Sequence, residues 1–127
     1  MSKSTWDANP PGNEWNSPEN WTPNNVPTDE AVFSKSNQTS ITFNNDTTAE
    51  VNKIEFSEGA DAFNLTIGNS PNNTVLVINE SVENNSEHQQ IIEVASEGAH
   101  YSTPQMKFTG KRGRSILLTN LIHSIKV

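Results

Sequence analysis

Trp15-Asn16-Ser17-Pro18-Glu19-Asn20-Trp21-Thr22-Pro23-Asn24-Asn25-Val26-Pro27-Thr28-Asp29-Glu30-Ala31-Val32-Phe33 is the stretch that decides how this chain folds. A helix is excluded, because Pro18, Pro23 and Pro27 each fix φ, lack an N–H donor and push the preceding residue out of the α region. The segment is expected to be an ordered loop. It runs into Ala31-Val32-Phe33, the first cluster of apolar residues suited to a pleated sheet, and so delivers the chain into its first strand. Trp15 and Trp21 carry large apolar surfaces, and their simplest use is to lie over the open end of the sheets that follow.

On either side of Trp15 the sequence is punctuated by Pro10-Pro11-Gly12 and Pro23-Asn24-Asn25, so residues 1–28 are expected to be coil with a tryptophan-bearing cap, and residues 29–127 the β domain. Apolar runs then come in quick succession: Ile41-Thr42-Phe43, Val51 to Phe56, Phe63 to Ile67 and Val75 to Ile78. Most alternate apolar with polar residues, the two-residue period of a half-buried strand, and none sustains a helical period. Turn clusters rich in Asn, Ser, Gly and Asp separate them. Gln89 to Val94, Gln105 to Thr109, Ser115 to Leu118 and Leu121 to Val127 read as further strands.

Similar strands return at a steady interval: Leu65 follows Ile41, Leu76 follows Ile54 and Ile116 follows Ile92, each after roughly 22–24 residues, the length of one solenoid turn. Such a period fits repeat units stacking on their neighbours and predicts Ile41 beside Leu65 and Ile54 beside Leu76. Turn asparagines would then stack into ladders. The expected fold is all-β: a right-handed parallel β-helix (solenoid) fragment with an N-terminal cap. An antiparallel β-sandwich, with a strand about every 8–12 residues, is the alternative. The chain ends on an apolar strand, which implies either a piece of a longer β-helix or self-association through that C-terminal edge.

The 127 residues make one domain, and the 31% hydrophobic content implies a thin core of the kind repetitive β architectures build. With no cysteine there are no disulfides or thiolate metal sites. No run approaches a membrane span, so membrane insertion is not expected, and Met1 to Trp6 lacks an apolar signal core; for an exported protein the expectation is a leader already removed. Charge is uneven. Residues 1–105 carry all 15 acids against Lys3, Lys35 and Lys53, a balance of -12, whereas residues 106–127 carry five cations. Such a surface repels nucleic acid. The basic cluster Gly110-Lys111-Arg112-Gly113-Arg114 reads as a charged hairpin turn.

Trp6, then Asn20-Trp21, then Val26-Pro27, then Asp29 with Ala31 and Phe33, followed by short strands rich in Thr, Asn and Gly, resembles the opening of autotransporter-type bacterial surface proteins. In that family a segment of the form W…NW…VP…D-A-F precedes a right-handed parallel β-helix. The resemblance covers roughly the first half of the chain. It implies a structural or adhesive role at the bacterial cell surface or in secretion, and it carries no catalytic residues.

Chemistry-bearing constellations are sparse. His88, His100 and His123 share no ligand spacing and are expected at surface or strand-packing positions. Glu58-Gly59-Ala60-Asp61 and Asn44-Asn45-Asp46 present oxygens, but neither matches a known calcium loop. No nucleophile elbow occurs, and a β-helix lyase or hydrolase needs a groove longer than some four turns supply. No catalytic residue, metal or cofactor is therefore assigned. Trp6, Trp15 and Trp21 are the candidate site, either as the cap of the core or as a platform on which sugar rings stack. The leading expectation is a non-enzymatic structural or adhesive module with a cell-surface or carbohydrate ligand. Runners-up are a carbohydrate-binding β-sandwich and a fragment of a β-helix polysaccharide lyase. Seven Asn-x-Ser/Thr sequons follow from composition alone.

Overall fold

The computed structural model describes residues 2–43, 48–67, 75–94, 100–102, 107–110, 116–119 and 124–126. The strands are β1 (Lys3–Trp6), β2 (Trp21–Thr22), β3 (Glu30–Phe33), β4 (Ser40–Phe43), β5 (Thr48–Phe56), β6 (Asn64–Ile67), β7 (Val75–Asn84), β8 (Gln90–Val94), β9 (His100–Ser102), β10 (Lys107–Gly110), β11 (Ile116–Thr119) and β12 (Ser124–Lys126). A single 3-10 turn, Pro18–Asn20, precedes β2, with its proline where a missing N–H costs nothing. The chain is all-β, with mixed and mainly parallel sheets.

One sheet runs in the order β10-β7-β5-β3-β1-β2, with β9 also pairing β7; the other runs β12-β11-β8-β6-β4. From β3 to β8 the chain alternates between them, one strand to each sheet in turn. Parallel neighbours in each sheet are therefore separated by one strand of the other. Ala31 pairs with Ile54 and Ile54 with Val82 in the first sheet, Ile41 with Leu65, Leu65 with Ile92 and Ile92 with Leu118 in the second. Antiparallel pairing is confined to β1 with β2 and β11 with β12 among the described residues. The antiparallel sandwich is thereby corrected, because antiparallel neighbours are what such a sandwich requires.

Two registers differ from the sequence expectation. Ile41 does face Leu65, but Ile54 faces Val82, and Leu76 faces Ala49. The reason is a longer turn of chain: β5 and β7 pair 27 residues apart up to Val51 and 28 from Lys53 onward, and the bulge between Val51 and Lys53 supplies only one residue of the difference. Ile116 likewise pairs with Gln90, and Ile92 with Leu118. Nor are residues 1–28 all coil. Lys3 to Thr5 pairs in parallel with Glu30 to Val32, placing β1 and β2 in the same sheet as β3.

Alternation puts Ala31, Phe33, Ile54, Phe56, Leu76, Ile78 and Val82 of the first sheet, and Ile41, Phe43, Leu65, Ile67 and Ile92 of the second, into one core. Phe33 stacks on Phe56 with centroids 5.2 Å apart, and Phe63 closes the column 5.0 Å from Phe33. One strand further, the ladder position of Phe33 and Phe56 is taken by Asn84, which is fully buried. Its side chain donates to the His88 carbonyl and accepts from the Ser86 amide and hydroxyl, while Gln90 donates to the Asp61 carbonyl and to Ser86 Oγ and accepts from the Phe63 amide. Every polar side chain of this buried trio is thus bonded, which is what makes its burial tolerable.

Candidate functional site

The three tryptophans converge where both sheets begin. Trp6 leaves β1, Trp21 opens β2 directly opposite it, and Trp15 comes from the loop between them. Trp21 meets Trp6 and Trp15 edge-on at 5.1 and 5.0 Å, and Trp15 stacks on Phe43 at 5.0 Å. Aromatic rings prefer such edge-to-face and offset contacts for the sake of their quadrupoles. Exposures of 1% for Trp6 and 0% for Trp15 and Trp21 leave no indole face for a sugar ring, which corrects the stacking-platform reading.

The loop that carries Trp15 also covers a sheet edge. Glu14 bridges Thr42 in parallel, with the Thr42 amide donating to the Asn13 carbonyl at 2.8 Å and the Trp15 amide to the Thr42 carbonyl at 2.9 Å. Residues 13–15 therefore lie along β4, while β1 and β2 extend the sheet beyond β3. Otherwise both sheets would begin with a row of unpaired backbone groups. Asn20, 1% exposed, locks the loop by accepting from the Gly12 amide and donating to the Glu14 carbonyl. Trp21 Nε1 donates to the Trp15 carbonyl at 2.8 Å, and Trp6 Nε1 to the Gln38 carbonyl at 3.0 Å. Trp15 Nε1 is the exception: it is buried with no hydrogen-bond partner among the described residues.

Outside the cap, two rows run across the strands. Asn52 Nδ2 donates to Asp29 Oδ1 at 3.0 Å and Asn79 Nδ2 to Asn52 Oδ1 at 3.1 Å, an amide ladder running from the start of β3 across the β5 bulge to β7. It stands at a bend within the strands, whereas the sequence reading put such ladders in the turns. On the outward face Glu55 is paired with Val32 and Glu83, near Glu30. Burial, then a hydrogen bond and charge repulsion from Glu30, then Glu83, hold the Glu55 carboxyl above the ordinary carboxylate range, with Asn85 opposing. Lys3 Nζ stands 3.8 Å from Glu30 Oε1.

A cleft of about 630 Å³ lies at the corner where the β3–β4 loop meets the N-terminal segment, lined by Ala8, Lys35, Ser36, Asn37, Thr39, Asp61 and Ala62. Sequence reading missed it, because its walls come from three segments far apart along the chain that only the stacking of parallel neighbours brings together.

The remaining candidates do not converge. Asp61 of the Glu58–Asp61 turn accepts from the Ser36 amide at 2.9 Å. His88 is exposed, His100 falls in β9, and His123, Asn44 to Asp46 and the basic turn 111–114 lie outside the described residues. Among the described residues no group of three His, Cys, Asp or Glu side chains is placed to hold a metal ion, and no helix is long and apolar enough to cross a membrane. Comparison with protein-family models, curated proteins and solved structures returned no match.

Proposed function

We propose that this chain is the starting and capping module of a right-handed parallel β-solenoid and serves as a non-enzymatic scaffold, structural or adhesive, in a bacterial surface or secreted protein. The observation that carries the reading is that residues 3–22 cover the first edge of both sheets at once, β1 and β2 beyond β3 and residues 13–15 on β4, with three buried indoles between. Parallel ladders recurring in both sheets as the chain alternates between them support the coiled arrangement, since parallel strands in one sheet are joined by right-handed crossovers almost without exception.

The residues that carry the resemblance to autotransporter-type proteins are also the ones the cap uses. Asn20 and Trp21 make the bonds described above; Ala31 and Phe33 point into the core. The Ser2 carbonyl accepts from the amides of Thr28, Asp29 and Glu30, and the Asp29 carbonyl from those of Asn52 and Lys53, so Asp29 ties the cap to the next turn of chain. A scaffold role is also favoured by how the buried side chains Asn20, Asn84, Ser86 and Gln90 are used, each bonded within the fold, although the buried Ser4 hydroxyl has no partner among the described residues.

The test is a Trp15→Ala/Trp21→Ala variant followed by amide hydrogen exchange and sedimentation velocity. A cap predicts faster exchange in β3 and β4 than in β8, and self-association through the uncovered edges. A monomer with β3 and β4 as protected as before would refute it.

A further inference from the structure

We infer that the cleft at the first corner is a binding site for a neutral, hydroxyl-rich ligand, a saccharide unit, held by Lys35, Asn37, Thr39 and Asp61. The site does not depend on whether the chain forms a solenoid. Its volume of about 630 Å³ falls among those of small-molecule sites, roughly 300–1,000 Å³. Its walls are also fixed in advance. Ser36, only 8% exposed, donates from its hydroxyl to the Asp7 carbonyl at 2.8 Å and from its amide to Asp61 Oδ2 at 2.9 Å. The Asn37 amide donates to the Ala8 carbonyl at 2.9 Å, and Asn37 Nδ2 to Asn9 Oδ1 at 2.7 Å. Trp6 Nε1 pins the Gln38 carbonyl, tying the loop to the aromatic core. A pre-set wall loses little entropy on binding.

The lining chooses the ligand. It offers a donor in the Lys35 ammonium, acceptors in the Asp61 and Asn37 oxygens, and a group that does both in the Thr39 hydroxyl. Vicinal hydroxyls, each able to donate and accept, match such a mixture. A phosphate or polyanion does not, because a single lysine stands beside a carboxylate on a chain whose first 105 residues carry a balance of -12. The apolar part of the lining, the methyls of Ala8, Ala62 and Thr39 and the stem of Lys35, suits the C–H face of a sugar ring. Lys35 is in no ion pair among the described residues, whereas Lys3 lies beside Glu30.

The experiment is a titration of the isotopically labelled chain with maltose, cellobiose, lactose and diacetylchitobiose, followed by backbone amide shifts. The expected result is saturable shifts with at least one of these sugars, confined to residues 8–9, 35–39 and 61–62. Thr39→Val and Lys35→Met, both at positions whose side chains carry no bond of the fold among the described residues, should each weaken binding about tenfold, the loss of one hydrogen bond to a ligand. Absence of shifts at these residues with all four sugars, shifts spread over the surface, or unchanged affinity in both variants would overturn the assignment. So would equal or tighter binding of inorganic phosphate or galacturonate at the same residues.

Discussion

Trp21 and Trp15 are equally buried and lie 5.0 Å apart, yet they should respond differently to the same change. Replacing Trp21 by Phe removes the Nε1 bond to the Trp15 carbonyl and leaves that acceptor in a dry core, a loss of about 1–3 kcal/mol. The smaller ring also gives up part of the contacts with Trp6, Trp15 and Phe33, worth about 1 kcal/mol more. Trp21→Phe should therefore cost about 2–4 kcal/mol, and Trp21→Ala about 3–5 kcal/mol or slightly above, the scale of deleting a buried aromatic. Trp15→Phe loses similar packing against Phe43 but also removes a buried donor that has no partner, so the two effects offset each other. Its expected cost is about 0–1 kcal/mol. Urea unfolding followed by far-UV circular dichroism gives both numbers, provided the transitions stay two-state. In a thermal melt the difference is on the order of 10 °C for a domain of this size. Equal destabilisation by Trp15→Phe and Trp21→Phe would sink the bond-by-bond account of the cap, and a melt unchanged by Trp21→Ala would remove the cap itself.

Register is open to direct chemical test because the chain has no cysteine of its own. Thr42→Cys with Thr66→Cys should form a disulfide under mild oxidation, since register partners on parallel strands stand about 4.8 Å apart, whereas Thr42→Cys with Glu93→Cys, two strands apart, should not; the opposite pattern on peptide mapping would refute the parallel order. Gln90→Leu should cost about 2–4 kcal/mol in urea unfolding, because the Phe63 amide and Asp61 carbonyl both lose their partner in the core, and a loss under about 1 kcal/mol would contradict the network. Because folding raises the Glu55 carboxyl, the folded state binds the proton more tightly than the unfolded one. Stability from this group is fully present below its unfolded value and is lost as pH rises through the folded value. Glu55→Gln should accordingly raise the melting temperature at neutral pH and lose that advantage as the pH falls below the ordinary carboxylate range; a benefit independent of pH would show that the Glu30 and Glu83 charges are not its cause.

Ile41 beside Leu65 was legible because both sit in short alternating runs in strands of equal length, so the sequence interval is the structural one. The same counting failed at Ile54, where this turn of chain is 28 residues long, one of them added by the bulge between Val51 and Lys53, and the partner strand runs on through Ser81 to Asn84. Nothing apolar marks the end of that extension: hydrophobic period is a signal of burial, and Asn84 is buried by virtue of Ser86 and His88 instead. β1 was missed for a related reason. Lys3-Ser4-Thr5-Trp6 holds a single strongly apolar residue, and its pairing with Glu30 to Val32 is a long-range contact that local propensity does not encode.

The tryptophans were the most legible part of the site and also the most ambiguous, since a ring that covers a core and a ring that offers itself to a sugar have one composition and differ only in what lies above them. What decides between the two is burial, and Asn20 contributes by bonding Gly12 and Glu14 of the loop that carries Trp15, together with the pairing of residues 13–15 to Thr42. The function assigned to Asn20 is thus to lock the loop that carries Trp15 in the place where the three indoles are buried. If that is its function, Asn20→Ala should cost about 1–3 kcal/mol and leave the rings partly exposed: the Gly12 amide would lose its acceptor, while the Glu14 carbonyl keeps the Ser17 amide at 3.3 Å. Tryptophan emission reports the second effect directly. A red shift and easier iodide quenching in Asn20→Ala, with the far-UV spectrum retained, are the expected outcome; unshifted emission would mean that the rings stay covered without the lock.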